Sequence, residues 1–291
     1  MQPSYLQQYL KRIHFNSDTH DLTPSLTLLN QLIESHQRTI PFESINPFLG
    51  IGVELEDFAL QKKLLHSQRG GYCFEHNKLF SQILLQLGFR VESYAARVTL
   101  NQQSDQPDVA PTHRMSIVTL GDERYIADVG FGLHTPPVAV PLSTTGAEVE
   151  YHSNSYMAVL NGHYYQLRSR YQGKWKELYR FTRTPAQEAD FDMANWYLTT
   201  HPESKFRNNL IATKLTPEGR ISLQNNELKI YVRDGLKESQ QLTSSQQVIQ
   251  CLHKHFAIQV AKPQHLNEVL NHRLFHDVNA NTCTQTIRKA V

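Results

Sequence analysis

The chain has 291 residues, of which 40% are apolar and 19% charged, and this balance is typical of a folded protein rather than a disordered one. Lys and Arg number 29 against 27 for Asp and Glu, and no basic run exceeds two residues. The composition lacks the basic patch that nucleic acid or an anionic membrane would require, so we expect neither partner.

The first 88 residues carry a mainly helical pattern. From Ser4 to Ile13 apolar residues recur at spacings of three and four, and Thr23-Pro24 opens a second run of this kind. A short helix is predicted from Phe58 to Leu65, shortly before two consecutive glycines. We expect these helices to form a platform for the segment that follows.

That segment is Arg69-Gly70-Gly71-Tyr72-Cys73, and it precedes a helical run that Gly88 ends. Cys73 is predicted to begin this helix, where unpaired N–H groups and the positive end of the helix dipole favour a thiolate. A buried core cysteine is the alternative. The glycine pair favours a nucleophile, because we expect a backbone that admits a substrate carbonyl, and not packing, to need two glycines.

From residue 89 the pattern changes to strands, at 90–100, 113–120 and 124–130. Gly121-Asp122 separates the last two, as in a type II′ hairpin turn. Leu120 then faces Glu123, and the same register places Asp128 opposite Met115 and diagonal to His113 on one face. An imidazole and a carboxylate are therefore predicted to meet.

Further strands are predicted at residues 156–160, 164–167 and 175–179. Asn161-Gly162 is the expected turn between the first two, and short strands at this spacing indicate a small barrel or a sandwich. Residues 187–200 are predicted to be helical. The remaining chain is mixed, with strands at 219–223 and 228–233 and a helix opened by Ser244-Ser245.

The chain has three widely spaced cysteines, Cys73, Cys251 and Cys283, and no C-x-x-C pair, which argues against a disulfide framework or structural zinc site. We expect Cys251 to be packed in the late helix and Cys283 to be an exposed, inert thiol. His272 and His276 are spaced i, i+4, but without a third ligand we expect a solvated face and no metal. No signal peptide and no run of about 18 apolar residues is seen, so we expect a cytoplasmic, reduced protein.

A thiol at a helix start, a strand histidine and an aspartate on the paired strand are the components of a Cys-His-Asp triad. In such a triad the histidine deprotonates the thiol, and the carboxylate fixes the histidine's tautomer and stabilises its charge. Each residue alone has a structural explanation, since a strand histidine is often exposed and an aspartate often bonds its own turn. Register links His113 to Asp128, but nothing in the sequence links either of them to Cys73.

Three blocks, Arg69 to Glu75, His113-Arg114 and Asp128 to Gly132, resemble the signature blocks of the arylamine N-acetyltransferases, in the same order and at similar spacings. Pro41-Phe42-Glu43 and the stretch from Asn195 to Phe206 also resemble family blocks, so the resemblance covers about residues 3–210. His76 stands where Gln is more usual, and Ser44 where Asn commonly follows Pro-Phe-Glu. Neither departure is at a triad position.

The resemblance implies an α+β fold in three parts around a cysteine-protease-like core. These are a helical bundle with the nucleophile (1–88), an antiparallel β-barrel with the histidine and aspartate (89–198), and a C-terminal α/β lid (199–291). It implies ping-pong transfer of acetyl from acetyl-CoA to an arylamine or arylhydrazine by Cys73, His113 and Asp128, with O-acetylation of N-hydroxyarylamines left open. We expect a monomer or homodimer.

The resemblance also implies residues around the triad. Phe42, Val98, Phe131 and Phe206 are candidates for an apolar acceptor pocket, with ordinary core packing as the alternative. Arg69 and Glu43 resemble a family ion pair that supports the active-site loop, with a surface salt bridge as the alternative. No glycine-rich phosphate loop is present, so we expect the CoA diphosphate to meet scattered donors between barrel and lid.

Other functions compete with this one. Macrolactam amide synthases of the same fold carry a similar triad but use a chain-bound polyketide, and hydrolases of the transglutaminase or cysteine-protease type also use Cys-His-Asp. A non-enzymatic small-molecule binder is a third alternative. The complete triad argues against a binder, and the surrounding aromatic residues favour transfer over hydrolysis, because transfer requires that water be kept from the acyl-enzyme.

Overall fold

A computed structural model describes residues 4–102, 107–171, 173–233 and 235–275. The first part contains α1 (Tyr5–Arg12), α2 (Leu26–Thr39), β1 (Phe42–Glu43), α3 (Ile45–Phe48), α4 (Asp57–Leu60) and α5 (Cys73–Gln86). The predicted helix from Phe58 to Leu65 consists of α4 and a π-helical turn, Gln61–His66. The second helix begins at Leu26, later than predicted, because the Ser25 hydroxyl accepts a hydrogen bond from Leu28 N–H.

The helices α1, α2 and α5 pack around a shared apolar core that includes Tyr9, Leu32 and Phe80, all fully buried. The same core extends to Val118 and Ala127, so the helices lie directly on the strands that follow. Gly88 has a φ of +87° just after the end of α5, which confirms it as the residue that ends this helix. The platform predicted for Cys73 is therefore present.

The strands of the next part are β2 (Arg90–Val98), β3 (His113–Leu120), β4 (Glu123–Ala127), β5 (Val140–Ser143), β6 (Glu148–Tyr151), β7 (Asn154–Asn161), β8 (Tyr164–Tyr171) and β9 (Lys174–Phe181). Seven of them pair in the order β5-β4-β3-β2-β9-β8-β7, and β5 pairs with β7 to close the ring. The result is a barrel and not a sandwich. Its closing pair is parallel, with Leu142 opposite Ala158, whereas the other pairs are antiparallel as expected.

The two predicted hairpins have different outcomes. Leu120 lies opposite Glu123, and Gly121 has a φ of +59°, which confirms the first turn and its register. In the second hairpin Asn161 pairs with Tyr164, so the loop is Gly162-His163 and the predicted Asn161-Gly162 turn is wrong. A type II′ turn needs a positive φ at its first loop position, and Gly162, with a φ of +60°, supplies it there.

The last part contains α6 (Glu188–Thr200), α7 (Lys205–Asn208), β10 (Ile211–Leu215), β11 (Gly219–Gln224), β12 (Glu227–Val232), β13 (Gly235–Gln241), α8 (Ser245–Phe256) and α9 (Pro263–Leu270). These four strands form an antiparallel sheet whose edge strand is β1 from the first part, with Phe42 opposite Thr213. Helix α8 covers the sheet, and Cys251 is buried in this core as predicted. The C-terminal sheet is thus joined to the helical part at residues 42 and 43.

His272 lies in a final π-helical turn, Asn271–Phe275, while His276 and Cys283 lie outside the described residues. Within the described part of the chain, no helix is long and apolar enough to cross a membrane. Over the same residues, no group of three His, Cys, Asp or Glu side chains is placed to hold a metal ion.

Candidate active site

Cys73 is the first residue of α5 and is 4% exposed. Its sulfur lies 3.8 Å from the carbonyl oxygen of Thr112, the residue before His113. The sequence correctly predicted a thiol at a helix start, where the free N–H groups and the helix dipole favour negative charge. The helix therefore aims its N-terminus at the first residues of β3.

The two glycines before Cys73 are required by close packing. A Cβ at Gly70 would lie 1.8 Å from the Pro41 carbonyl oxygen, and a Cβ at Gly71 would lie 2.6 Å from the Glu75 carboxylate. Glu75 in turn accepts a hydrogen bond from Tyr72 N–H at 3.0 Å. The expectation that packing does not need this glycine pair is therefore wrong, since the chain must pass Pro41 closely to bring Cys73 into place.

His113 is the first residue of β3, and Asp128 directly follows β4. His113 Nε2 lies 2.7 Å from Asp128 Oδ2, and both side chains are buried. The predicted contact across the hairpin is confirmed. Because Nε2 is engaged with the carboxylate, Nδ1 is the ring nitrogen left to act on the Cys73 sulfur, which is among the causes that raise the pKa of His113.

Asn77 joins the helix to both strands, which the sequence did not reveal. Its Nδ2 donates to Asp128 Oδ1 at 2.9 Å and to the Arg114 carbonyl oxygen at 2.6 Å, and its Oδ1 accepts from Val129 N–H at 3.0 Å. Asn77 follows Cys73 by four residues, so it lies one helical turn away on the same face. This i, i+4 spacing is the sequence signal that could have linked Cys73 to the hairpin of β3 and β4.

Asp128 is held by four hydrogen bonds in all. Besides His113 and Asn77, Gly130 N–H donates to Oδ1 at 2.9 Å, and the Tyr179 hydroxyl donates to Oδ2 at 3.1 Å. Tyr179 comes from β9 and was not predicted as a site residue. Burial and the nearby Asp128 charge raise the pKa of Tyr179 well above its usual value, so it stays a neutral donor.

The electrostatics of the pair favour ionisation. Burial alone would lower the pKa of His113, but the charge and hydrogen bond of Asp128, together with Cys73, raise it to about 10. Burial would raise the pKa of Asp128, yet the His113 charge and the hydrogen bonds hold it below its usual value. At neutral pH the arrangement therefore stabilises an imidazolium, which is the form that supports a thiolate.

The four aromatic and apolar candidates lie in two groups beside the triad. Phe42 is in the same buried cluster as Cys73 and packs against Phe206, with ring centroids 6.0 Å apart. Phe131 packs edge-on against His113 at 5.0 Å, and Val98 lies opposite Tyr179 across β2 and β9. Phe131 thus contacts His113 directly, and Phe42 and Phe206 share a cluster with Cys73, whereas Val98 is linked to His113 only through Tyr179.

Arg69 and Glu43 form a buried ion pair, not a surface one. Arg69 donates to Glu43 Oε1 through Nη2 at 2.6 Å and Nε at 2.8 Å, and the Glu43 side chain is fully buried. Burial would raise the pKa of Glu43, but the Arg69 charge lowers it below its usual value. The loop before Cys73 is thus fixed by an ion pair whose carboxylate is fully buried and whose guanidinium belongs to a side chain that is 12% exposed.

Comparison with known proteins finds relatives over most of the chain. The N-acetyltransferase family model matches residues 25–265 of the chain. The arylamine N-acetyltransferase of Mycobacterium tuberculosis is 36% identical over 88% of this chain and 90% of the relative. The Salmonella typhimurium arylamine N-acetyltransferase / N-hydroxyarylamine O-acetyltransferase is 32% identical over 90% of this chain and 92% of its own length.

A solved structure is similarly close. The Mycobacterium marinum arylamine N-acetyltransferase in complex with CoA superposes with a TM-score of 0.87 and 32% identity, over 93% of this chain and all of that one. The fold and the match to the family model place the protein among the acyltransferases. More narrowly, the chain belongs to the arylamine N-acetyltransferase family.

Proposed function

We propose that this enzyme transfers the acetyl group of acetyl-CoA to the nitrogen of an arylamine or arylhydrazine, in two steps through an acetyl-Cys73 intermediate. The observation that carries the proposal is the buried pair of His113 and Asp128, with Cys73 at the start of α5 next to the strand that begins at His113, in a member of this family. The relative crystallised with CoA supports the choice of donor.

In the first step the Cys73 thiolate attacks the thioester carbonyl carbon, and the carbon–sulfur bond to CoA breaks. The leaving CoA sulfur takes a proton, which the His113 imidazolium donates. One thioester is exchanged for another, so the step is close to balanced. The N–H groups at the start of α5 are the natural donors to the oxyanion.

In the second step the amine nitrogen attacks the acetyl carbon, and Cys73 leaves as a thiolate. His113, neutral after the first step, accepts a proton from the amine nitrogen and so returns to its charged form. Asp128 keeps the tautomer and orientation of His113 through both steps, as the carboxylate does in other triads. A hydrazine nitrogen reacts in the same manner.

We assign the acceptor pocket to Phe42, Val98, Phe131 and Phe206. Flat aromatic amines bind through buried area and stacking, which these side chains offer beside Cys73 and His113. We assign Arg69 and Glu43 to support of the Cys73 loop. O-acetylation of N-hydroxyarylamines belongs to the same proposal, because the Salmonella relative carries that activity in its name.

The CoA nucleotide has a suitable cleft between the barrel and the C-terminal sheet. The cleft is lined by the cationic residues Arg220 and Arg233 and by the aromatic residues Tyr151 and Tyr156, which suit a diphosphate and a base. Leu133, two residues after Phe131, lines this cleft, and we propose that the pantetheine arm follows the same loop toward Cys73. A working thiol also favours a reducing compartment such as the cytoplasm.

Intact-mass spectrometry tests the proposal. Protein mixed with acetyl-CoA alone should gain one acetyl group, Cys73→Ala should gain none, and added aniline should remove the group as acetanilide forms. If well-folded protein gains no acetyl group, the donor assignment is wrong. If the acetyl group is lost to water as fast as to aniline, the hydrolase alternative is favoured.

A further inference from the structure

A line of buried hydrogen bonds runs from the outer helix to the active-site loop. The Tyr9 hydroxyl lies 2.9 Å from His36 Nδ1, His36 Nε2 lies 2.7 Å from His76 Nδ1, and His76 Nε2 lies 3.1 Å from the Pro41 carbonyl oxygen. Tyr9, His36 and His76 are all 0% exposed. Three helices and the segment before β1 are joined by this line.

The partners fix the direction of every bond when the histidines are neutral. A carbonyl oxygen only accepts, so His76 Nε2 carries the proton and donates to Pro41. His76 Nδ1 then accepts from His36 Nε2–H, and His36 Nδ1 accepts from the Tyr9 hydroxyl. Burial lowers the pKa of His76 to about 4 and that of His36 well below its usual value, so both rings are neutral at pH 7.

The last acceptor in this series of hydrogen bonds, the Pro41 carbonyl oxygen, packs against the loop before Cys73. The Pro41 carbonyl oxygen that His76 holds is the same atom that leaves no room for a Cβ at Gly70. The His76 ring also stacks on Phe42, with an interplanar angle of 11°. His76 lies three residues after Cys73 on α5. Its side chain therefore links the helix that carries the nucleophile to Phe42, a wall of the proposed acceptor pocket.

We propose that His76 is a positioning residue for acyl transfer: oriented by His36 and Tyr9, it holds the Pro41 carbonyl and the Phe42 ring in register with Cys73. This inference rests on the proposed function. It assigns His76 no contact with the reacting atoms, and it predicts that a side chain with the same donor and acceptor positions can replace the imidazole.

Three variants test it. In His76→Gln the new side-chain amide can donate to Pro41 and accept from His36. His76→Leu leaves both of these partners without a hydrogen bond. Phe80→Leu is the matched control, because Phe80 is buried on the same helix and touches the His36 ring, 5.6 Å between centroids, without a hydrogen bond. All variants are first compared for thermal unfolding.

The readouts are the rate of Cys73 acetylation by acetyl-CoA and the steady-state kcat and KM for aniline. His76→Leu should lose roughly 10- to 100-fold in kcat/KM for aniline, since small misplacements at a site have effects of this size. His76→Gln should stay within about threefold of the wild type, and Phe80→Leu should lose stability but keep its kinetics. The proposal is overturned if His76→Leu matches Phe80→Leu in kinetics, or if His76→Gln loses as much as His76→Leu.

A second measurement needs no variant activity. Long-range proton–nitrogen correlation spectra of the wild type, labelled at histidine, should show His36 and His76 as neutral Nε2–H tautomers at pH 7. An Nδ1–H tautomer or a charged ring at His76 would overturn the proposal even if His76→Leu does not fold. Failure of the wild type to form acetyl-Cys73 would instead overturn the proposed function, so the two failures are distinguishable.

Discussion

Asp128→Asn is the substitution that most directly tests the triad. The carboxylate accepts four hydrogen bonds, two on each oxygen. An amide keeps only one oxygen, and that oxygen is best placed toward Asn77 and Gly130, which can only donate. The amide nitrogen then faces His113 Nε2, so His113 must accept there and carry its proton on Nδ1. That tautomer presents a proton to Cys73 and cannot deprotonate the thiol.

The expected magnitude follows from the charge and the tautomer. The rise in the pKa of His113 from 6.5 to about 10 corresponds to roughly 5 kcal/mol in favour of the imidazolium, at about 1.4 kcal/mol for each tenfold change in acidity. Without the carboxylate, burial remains and the pKa of His113 falls below its usual value. Loss of the correct tautomer in a triad costs about 10⁴-fold in turnover, and we expect the same order here.

The variant should remain folded. Loss of the buried charge pair costs about 3–5 kcal/mol of unfolding free energy at neutral pH, although both rings stay packed. Urea unfolding measures this cost, and intact-mass spectrometry follows the appearance of acetyl-Cys73. Iodoacetamide alkylation at pH 7 reports the thiolate independently of the donor. A folded variant that is acetylated and alkylated at near wild-type rates would remove Asp128 from the mechanism.

Four further outcomes are expected. Gly70→Ala should strongly destabilise the fold and abolish activity, because the added Cβ would lie 1.8 Å from a backbone oxygen. The control Gly52→Ala should leave stability nearly unchanged, because its Cβ would have nothing within 4 Å. Equal melting temperatures for the two variants would refute the packing argument. Arg69→Gln should cost about 3–5 kcal/mol of unfolding free energy by leaving a buried carboxylate without its bonded cation. The control for urea unfolding is Arg170→Gln, which breaks a pair whose side chains are 36% and 38% exposed and which we expect to be worth less than about 1 kcal/mol. Similar costs would contradict the burial assigned to the Glu43 pair. Phe206→Ala should raise KM for aniline about tenfold, through lost apolar contact, without slowing acetylation of Cys73, and an unchanged KM would take Phe206 out of the acceptor pocket. Finally, His113 binds a proton up to about pH 10 in the folded protein but only up to about pH 6.5 in the unfolded protein. Its contribution to stability is therefore complete below about pH 6.5 and is lost as the pH rises through about 10. In urea unfolding, the stability of Asp128→Asn should depend less on pH over that range than the stability of the wild type, and identical pH profiles would contradict the shift.

Most of the geometry of the candidate site was accessible from sequence because it depends on local rules. The Cys73 helix start follows from the glycine pair and the apolar spacing, and the contact between His113 and Asp128 follows from a two-residue loop that fixes register. Asn77 and Tyr179 were missed for a different reason. Their partners lie on other elements, so only the packing of α5 and β9 against the hairpin brings them to Asp128.

The fold shows the same division between local and distant signals. The residue pattern and the turns predicted most of the barrel strands, but not β5 or β6. The pairing of β5 with β7 was also missed, because closure of the barrel depends on contacts between distant residues. The edge strand β1 has only two residues and no alternating pattern to detect. The boundaries placed at residues 88 and 198 stay predictions.

The segment 41–43, Pro-Phe-Glu, contacts three parts of the molecule around Cys73. Its proline carbonyl meets His76 and Gly70, its phenylalanine pairs with Thr213 of the C-terminal sheet and packs on Phe206, and its glutamate holds Arg69. None of these contacts needs Glu43 or Pro41 to touch a substrate. A substitution there would shift the Cys73 loop, the acceptor wall and the C-terminal sheet together. We therefore interpret the segment as a joint that keeps the Cys73 loop, the proposed acceptor wall and the C-terminal sheet aligned with one another.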